Sequence, residues 1–250
     1  MTTDGVAGDA SGDEDAEVTH DSLLCGRVKL LQPARGFRSS LDAVLLGAFV
    51  APPFGRFLDI GCGVGPVSFV LLARDGECAG AGVEIQPRLA RLAERGRRAN
   101  AWGSRFAVHT LDVRRRRRVS LGRFDLVVTN PPFRRLGTGV LSPNAERSLA
   151  NYEVTLRLGD WLDAAAELLA PQGRLAAIFP ATRWEELQLA MEARGLAPAR
   201  ARLVHSSAEL PPRRVLVEAR RGATLAWEPP LVVHQGPAFS PEVRRMLGED

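Results

Sequence analysis

The sequence contains few residues of the kinds that build covalent or metal-bound scaffolds. Its three cysteines, Cys25, Cys62 and Cys78, are odd in number and form neither a CxxC pair nor a cluster with histidine. This pattern argues against a disulfide framework and against a structural zinc site. The four histidines are scattered, without metal-ligand spacing or a nucleophile partner. We therefore expect reduced thiols and no bound metal.

Long apolar runs are also missing. The chain has no stretch of the roughly 18 or more apolar residues that a membrane-spanning helix needs. Its first residues are acidic, and no apolar segment follows them, which argues against a signal peptide. We expect a cytoplasmic protein that does not contact a membrane.

Lysine is nearly absent, since Lys29 is the only one among 33 basic residues. This bias toward arginine has two explanations, the base composition of the genome or contacts with nucleic acid. Seven acids and no Lys or Arg occupy residues 1–21, so the rest of the chain is more basic than the net charge of +4 indicates. A basic body suits a polyanionic partner such as a nucleic acid, and charge for solubility is the alternative.

The length of 250 residues with 45% apolar content suits one sizeable α/β domain with small extensions. We expect a monomer with a disordered acidic tail over 1–21, an N-terminal hairpin and helix over 22–53, the main domain over 54–222, and a β tail over 223–250 packed on the same domain. In the N-terminal part, Ser39-x-x-Asp42 resembles a capping box before an apolar helix.

Strand and helix patterns alternate from Arg56 onward, which indicates βαβ crossovers and a mostly parallel sheet. The sequence predicts strands at Arg56–Ile60, Cys78–Ile85, Arg105–Leu111, Phe124–Thr129 and Arg174–Phe179, and helices at Pro66–Ala73, Pro87–Asn100, about 146–169 and Arg183–Arg194. Two further strands without an intervening helix are expected to pair antiparallel at the sheet edge, followed by a short β tail: Ala201–His205, Arg214–Glu218 and Leu231–His234.

A glycine loop follows the first strand of the main domain. Asp59 lies near the end of the strand, and the loop Gly61-Cys62-Gly63-Val64-Gly65 leads into a helix. Glycines let the loop backbone approach a ligand at the carboxyl ends of the strands. The glycine pattern alone is weak evidence for any one function, because nicotinamide enzymes have a similar loop and any tight turn favours glycine.

Acids at the ends of the next strands indicate which kind of ligand the glycine loop would bind. Glu84, followed by Ile85, can accept both hydroxyls of a ribose, and Asp112, followed by Val113, would lie beside an adenine ring. Three strand-end acids, counting Asp59, indicate one nucleoside cofactor. NAD-binding proteins also place an acid at the Glu84 position, and a capping role is the structural alternative.

The sequence Asn130-Pro131-Pro132-Phe133 follows the fourth predicted strand. An exocyclic amine is a poor nucleophile, so its site needs acceptors that follow the developing positive charge. The Asn130 side-chain oxygen and the Pro131 carbonyl can supply two, with Pro132 stiffening the turn. Phe133 can stack on a flipped base. A rigid strand-ending turn is the alternative.

From about residue 24 to 247 the chain resembles the bacterial tRNA adenine-N6 methyltransferases that modify the adenine beside the anticodon of a valine tRNA. The likeness rests on the motifs above and on further matching segments, which are Gln32, Gly36–Leu46, Gly82–Gln86, Asp160-Trp161, Arg214–Ala219 and Pro230–Val233. It implies a Rossmann-like class I methyltransferase fold with a seven-stranded, mostly parallel sheet, an antiparallel C-terminal edge strand and a small N-terminal extension. Family members often have Tyr or His where Phe133 and Tyr152 stand, and Lys or Gly where Gln172 stands.

The resemblance implies S-adenosyl-L-methionine as the cofactor and an RNA nitrogen as the target, most simply N6 of a loop adenine in tRNA. The predicted cofactor residues are Asp59, Gly61, Cys62, Gly63, Gly65, Glu84, Ile85, Asp112, Val113 and Asn130, and the predicted catalytic residues are Asn130, Pro131, Pro132 and Phe133. Other substrates for such acceptors are a protein glutamine amide, guanine N2 of rRNA and adenine in DNA. A nicotinamide-dependent oxidoreductase and a non-catalytic RNA-binding relative are alternatives of other classes.

An arginine run follows Asp112. Arg114, Arg115 and Arg116, with Arg134 and Arg135 after the Asn-Pro-Pro motif, are predicted to form a rim that holds RNA phosphates. A solvated arginine-rich loop is the competing interpretation.

Overall fold

The computed structural model describes residues 18–35, 38–118, 121–132 and 156–249, without the side chains of residues 116–118. The strands are β1 (Val18–Leu23), β2 (Val28–Pro33), β3 (Arg56–Ile60), β4 (Ala79–Glu84), β5 (Phe106–Thr110), β6 (Phe124–Thr129), β7 (Leu169–Pro180), β8 (Ala197–His205), β9 (Pro212–Arg220), β10 (Ala226–Trp227), β11 (Leu231–Val232), β12 (His234–Gln235) and β13 (Ala238–Phe239). The α-helices are α1 (Leu41–Phe49), α2 (Pro66–Arg74), α3 (Pro87–Ala99), α4 (Leu158–Leu168), α5 (Trp184–Glu192) and α6 (Pro241–Met246), with 3-10 turns at Val113–Arg118 and Ala181–Arg183.

Seven longer strands form the central sheet in the order β8-β9-β7-β6-β3-β4-β5. All neighbouring pairs from β7 to β5 are parallel, whereas β9 is antiparallel to both β7 and β8. The antiparallel strand thus lies one place in from the edge strand β8. The short strands β10 and β11 extend that edge by pairing with β8. This arrangement confirms the predicted α/β fold with a mostly parallel sheet.

Helices cover both faces of the sheet, as parallel crossovers require. One apolar cluster joins β2, α1, α2, α3 and α6 to the sheet, and a second joins α4 and α5 to the opposite face. Strands β3 and β6 are buried along nearly their whole length. Because β3, β4, β5 and β6 are parallel, their carboxyl ends lie at one edge of the sheet, which is where the glycine loop and the Asn-Pro-Pro motif begin.

The N-terminal hairpin begins earlier than expected. Residues 18–21, assigned to the tail on composition, form the first part of β1 and pair with β2, Val18 opposite Pro33. Asp21 is fixed by polar contacts, since it accepts hydrogen bonds from Thr19 at 2.6 Å and from Gln32 at 3.0 Å. The boundary at residue 21 was therefore wrong, and residues 1–17 lie outside the described residues.

The predicted capping box before α1 is not formed. The N-cap residue of α1 is Ser40, whose side chain makes no capping hydrogen bond. Asp42 instead accepts a hydrogen bond from Nε of Arg214 at 2.9 Å. This ion pair links the first turn of α1 to the start of β9, so the acid serves a long-range contact instead of the local cap.

The helix predicted from about residue 146 lies partly outside the described residues, and its described part is α4. Strand β7 then follows α4 directly, beginning five residues before the predicted start at Arg174. None of the described helices is long and apolar enough to span a membrane.

Candidate active site

A cleft opens at the carboxyl ends of β3, β4, β5 and β6. It brings together residues from the glycine loop, the strand-end acids and the Asn-Pro-Pro motif. Its walls are formed by Ile60, Gly61, Gly63, Val83, Glu84, Ile85, Gln86, Leu89, Leu111, Asp112, Val113, Asn130, Pro132 and Leu156. Eight of the predicted site residues therefore line a single cleft.

The glycine loop bends sharply between β3 and α2. Gly61, Gly63 and Gly65 all have positive φ, at 71°, 56° and 93°, a region that glycine adopts without steric cost. The amide N–H groups of Gly61 and Cys62 donate to the carbonyl of Val83 at 2.9 and 3.0 Å. The loop is thus pinned to the end of β4, beside Glu84.

Glu84 is buried at the end of β4, with 6% of its surface exposed. Its Oε2 accepts a hydrogen bond from the backbone N–H of Gly63 at 2.9 Å, and its Oε1 accepts one from the N–H of Gln86 at 2.8 Å. A carboxylate has about four acceptor sites, more than these two backbone bonds use. The carboxylate is consequently held in one orientation on the cleft wall.

Asp59 does not line the cleft, in contrast to the prediction that it binds the cofactor directly. It is 1% exposed, and its Oδ2 accepts hydrogen bonds from the hydroxyl of Ser68 at 2.7 Å and from the N–H of Ser68 at 3.3 Å. Burial raises the pKa of the Asp59 carboxyl to about 7, against the opposing hydrogen bonds from Ser68. Asp59 therefore ties β3 to α2 beneath the loop.

Cys62 also points away from the cleft. Its thiol is buried, and burial, followed by the nearby Asp59 and Glu84 charges, raises its pKa well above the usual value. A methyl group at Gly82 would lie 2.6 Å from the Cys62 Sγ, closer than Cβ atoms approach other atoms in proteins. Glycine at position 82 therefore lets β4 approach the loop, and the Cys62 thiol packs against it.

Two other residues, one predicted to bind the cofactor and one predicted to be catalytic, also do not line the cleft. Gly65 is the N-cap of α2, and Pro131 is buried. A methyl group on Gly65 would meet the ring of Phe69 at 2.7 Å. Gly65 therefore serves the turn and the packing of α2.

Asp112 lines the cleft on the side of β5. Its carboxylate accepts hydrogen bonds from the backbone N–H of Arg114 at 3.0 Å and from the Arg114 guanidinium at 2.8 to 3.1 Å. The Arg114 hydrogen bonds, opposed by partial burial, lower the pKa of the Asp112 carboxyl. Arg114, which was predicted to hold RNA, forms these bonds with Asp112, and Arg115 lies 3.9 Å from the same carboxylate.

The Asn-Pro-Pro motif is fixed by the residue before it. Thr129 is fully buried, and its hydroxyl donates to the carbonyl of Ile60 at 2.9 Å. This bond ties the end of β6 to the end of β3. Asn130 is thereby held on the same cleft wall as Gly61 and Gly63.

The cleft suits a nucleoside by the chemistry of its walls. Glu84 offers acceptors for ribose hydroxyls, whereas Ile85, Leu89, Leu111 and Val113 give an apolar lining on the same side. Asn130 and Pro132 line the cleft just after the end of β6. The cleft thus combines a carboxylate and apolar side chains from β4, α3 and the end of β5 with an amide from the end of β6.

Some cleft residues had no sequence signal, and some predicted residues cannot be placed. Leu156 and Leu89 were not predicted; Leu89 could have been found, because it lies one turn into the helix after Glu84.

Phe133, Arg134 and Arg135 lie outside the described residues, as does the side chain of Arg116. Among the described residues, no three His, Cys, Asp or Glu side chains cluster as metal ligands would.

Sequence comparisons relate the chain to known methyltransferases. The profile of the family described as "Methyltransferase small domain" matches residues 40–182. A tRNA1(Val) (adenine(37)-N6)-methyltransferase of Porphyromonas gingivalis is 33% identical over 233 residues, which cover 88% of this chain and 91% of the relative. A protein of the same name from Dickeya chrysanthemi is 35% identical over 184 residues, 72% of each chain.

Solved structures share the fold. A predicted O-methyltransferase from Agrobacterium tumefaciens superposes with a TM-score of 0.66 at 26% identity and covers 83% of this chain and 96% of its own. TrmN from Thermus thermophilus gives a TM-score of 0.52 at 22% identity, covering 72% of this chain and 48% of that one. At that identity the second likeness is one of fold alone.

Proposed function

Since this chain belongs to the methyltransferase small domain family, we propose that it is an S-adenosylmethionine-dependent methyltransferase acting on N6 of an adenine in a tRNA loop. The observation that carries the proposal is the position of Asn130 and Pro132 in one cleft with Glu84. An amide acceptor in the same cleft as a carboxylate that can hold a ribose supports methyl transfer to an amine. The full-length likeness to tRNA adenine-N6 methyltransferases supports the substrate.

The cofactor would lie along the β4 and β5 side of the cleft. Glu84, fixed by Gly63 and Gln86, would accept the ribose hydroxyls. Asp112 and the apolar side chains of Ile85 and Leu89 would hold the adenine ring. The loop of Gly61 and Gly63 leaves room for the rest of the molecule. When bound, S-adenosylmethionine supplies an electrophilic methyl group.

The target amine would be held at the end of β6. The side-chain oxygen of Asn130, which lines the cleft, would accept one of its hydrogens, and the backbone carbonyl of Pro131 would accept the other, although the Pro131 ring is buried. The nitrogen lone pair would then become available as positive charge develops. After transfer, the methylated nitrogen loses one proton to water, and no general base is needed. Pro131 and Pro132 restrict the backbone, so these acceptors need no reorganisation.

Phosphate contacts fit the charge of the protein. The net charge is +4 even though residues 1–21 carry seven acids. A loop nucleotide that is not base-paired costs little to flip into a pocket, which favours a tRNA loop over duplex DNA. The cleft lies at the carboxyl ends of the parallel strands, where open α/β sheets bind ligands.

Methyl transfer from labelled cofactor into separate tRNA, rRNA, DNA and protein fractions tests the proposal. We expect label in tRNA only, and none with the Asn130→Ala variant. Label in rRNA as methylguanosine, or in protein as methylglutamine, would show that the substrate is not tRNA. The proposed cofactor and the proposed site for the amine would still stand. No transfer into any fraction, together with a failure of S-adenosylhomocysteine to bind, would refute the proposed cofactor as well as the proposed substrate.

A further inference from the structure

Arg114 holds the carboxylate of Asp112 through a two-point contact. Its Nε donates to Oδ1 at 2.9 Å and its Nη2 donates to Oδ2 at 2.8 Å, which is the fork geometry of an arginine–carboxylate pair. The backbone N–H of Arg114 also donates to Oδ1, at 3.0 Å. Two parallel bonds and a third from the backbone resist rotation of the carboxylate about its Cβ–Cγ bond. One neighbouring residue therefore fixes the plane of the Asp112 carboxylate.

The pair of Asp112 and Arg114 stands on the wall of the candidate active site. Asp112 lines the cleft, and so does Val113, the residue between the two members of the pair. The side chain of Asp112 is 16% exposed, whereas that of Arg114 is 44% exposed. The acid is thus the inner member of the pair and the arginine is the outer one.

The local backbone holds the pair in place. Asp112 directly precedes the 3-10 turn Val113–Arg118, and its carbonyl accepts a hydrogen bond from the N–H of Arg115 at 2.8 Å. The turn packs against α4. The hydrogen bonds to Asp112, opposed by partial burial, raise the pKa of the Arg114 guanidinium, and the charge of Asp160 in α4 adds to this effect. The guanidinium therefore interacts with an acid of the cleft wall and with an acid of α4.

The contact with Arg114 leaves Asp112 with little capacity for further donors. A carboxylate has about four acceptor sites. Counted over the described residues, three N–H groups donate to it, which are the backbone N–H, Nε and Nη2 of Arg114. About one acceptor site is then left for a ligand. The exocyclic amine of an adenine can supply that single donor, whereas a ribose presents two hydroxyls.

We propose that Arg114 is a positioning residue, whose fork sets the plane of the Asp112 carboxylate so that its remaining acceptor site meets the exocyclic amine of the cofactor's adenine. The assignment rests on the proposed function for the identity of the cofactor. It goes beyond that function because Arg114 acts through Asp112 and not by a contact of its own. The competing interpretation is that the pair only stabilises the 3-10 turn.

Two nucleosides that differ in one amine separate these interpretations. The probes are S-adenosylhomocysteine and its analogue with unsubstituted purine in place of adenine, which lacks the exocyclic amine. Calorimetric titration gives the Kd of each, and their ratio reports the contact to the amine. A role confined to the stability of the turn would weaken both probes equally and would not change this ratio.

The variants are Arg114→Gln, Arg114→Lys and a matched control, Arg115→Gln. The control removes the same charge from the same turn, at a side chain that lies 3.9 Å from the Asp112 carboxylate, beyond hydrogen-bond distance. Lysine at position 114 keeps the charge but cannot form the fork. Thermal melting of each protein shows whether it is folded at the temperature of the titration, and the lysine variant serves if the glutamine variant is not.

The wild type should bind S-adenosylhomocysteine roughly 10- to 150-fold more tightly than the purine analogue, the range for a hydrogen bond to a charged group. The ratio should fall by about 2- to 10-fold in Arg114→Gln, the worth of one ordinary hydrogen bond. Arg114→Lys should lie between these two, and Arg115→Gln should keep the wild-type ratio. An unchanged ratio in Arg114→Gln would overturn the proposal. An equal fall in Arg115→Gln, or full rescue by lysine, would also overturn it, because charge alone would then explain the effect.

A double-mutant cycle shows whether Arg114 acts through Asp112. Asp112→Ala removes the acceptor and should itself abolish most of the discrimination. In that background Arg114→Gln should cause no further fall in the ratio, since the two residues share one interaction. A fall of the same size with and without Asp112 would mean that Arg114 reaches the adenine by another route, and the proposal would be wrong.

The outcomes also separate this proposal from the proposed function. Wild-type protein that forms N6-methyladenosine in tRNA, but whose ratio does not depend on Arg114, would refute the positioning role and leave the function intact. A ratio that depends on Arg114 through Asp112, in a protein that forms no N6-methyladenosine, would refute the proposed substrate and support the positioning role. Failure of the wild type to bind S-adenosylhomocysteine would refute both.

Discussion

The hydroxyl of the buried Thr129 donates a hydrogen bond of 2.9 Å to the carbonyl of the buried Ile60. This bond joins the strand before the Asn-Pro-Pro motif to the strand before the glycine loop. The two halves of the cleft are held together at this contact. Cofactor and amine must meet in line for transfer, so the separation of these strand ends sets the geometry of the reaction.

Replacing Thr129 by valine keeps the side-chain shape and removes the donor. We expect a loss of about 1–3 kcal/mol in the free energy of unfolding, because a buried carbonyl loses its hydroxyl partner, and a lower kcat because Asn130 is no longer fixed. Urea unfolding and steady-state kinetics measure these. Thr110→Val, at an exposed position at the end of β5, should change stability by no more than about 0.5 kcal/mol. Equal effects at the two positions would contradict the account.

Replacing Glu84 by glutamine should weaken the binding of S-adenosylhomocysteine by roughly 10- to 150-fold, the equivalent of about 1.5–3 kcal/mol for hydrogen bonds to a charged group. The amide can still accept from Gly63 but offers only one acceptor oxygen to a ribose. Isothermal titration calorimetry measures the change. The matched variant Glu192→Gln, exposed at the end of α5, should bind as the wild type does. Unchanged affinity in the Glu84 variant would mean that the nucleoside lies elsewhere.

Asn130→Ala should lower kcat by about 100-fold or more while the affinity for S-adenosylhomocysteine stays close to that of the wild type. The substitution removes an acceptor for the amine, whereas the proposed cofactor contacts lie mainly on the β4 and β5 side. Asn130→Asp retains an acceptor oxygen and should keep more activity than the alanine variant. If the alanine variant turned over at the wild-type rate, the amine-acceptor mechanism would be wrong.

Burial of Asp59 makes the free energy of unfolding depend on pH, and it determines the sign of that dependence. Because the pKa of its carboxyl is raised from 3.8 to about 7, the folded state favours the protonated form. The free energy of unfolding therefore falls as the pH rises from about 4 to about 7, and the loss is complete above that range. Asp59→Asn can still accept from Ser68 and has no such proton to lose.

The melting temperature of the Asp59→Asn variant, relative to the wild type, should therefore increase between pH 5 and pH 8. Differential scanning fluorimetry of both proteins in matched buffers measures the difference, in which the titration of all other groups largely cancels. A difference that stays constant over this range would show that the buried carboxylate carries no such cost.

Much of the sheet and cleft could be predicted because their signals are local. Apolar strands followed by glycine, and acids at strand ends, place Gly63 and Glu84 at the same edge of a parallel sheet without further information. The strands β3 and β6 were predicted with the boundaries that the structure has. Each of these inferences depends on a few consecutive residues and on the direction of the strands.

What the sequence missed depends on distant partners. Asp59 and Asp112 are equivalent by pattern, but one is buried against Ser68 and the other lies on the cleft wall bonded to Arg114. Asp42 had a capping pattern, yet it pairs with Arg214 far along the chain. Burial and long-range pairing are set by packing, so local patterns do not determine them.

The identity of the modified nucleoside tests the central claim most directly. Purified protein is incubated with S-adenosylmethionine and unmodified tRNA, and the tRNA is digested to nucleosides for mass spectrometry, with the Asn130→Ala variant as the control. The account predicts N6-methyladenosine with the wild type and only a trace with the variant. Methylguanosine in the digest, or unmodified tRNA beside methylglutamine in a protein, would contradict it.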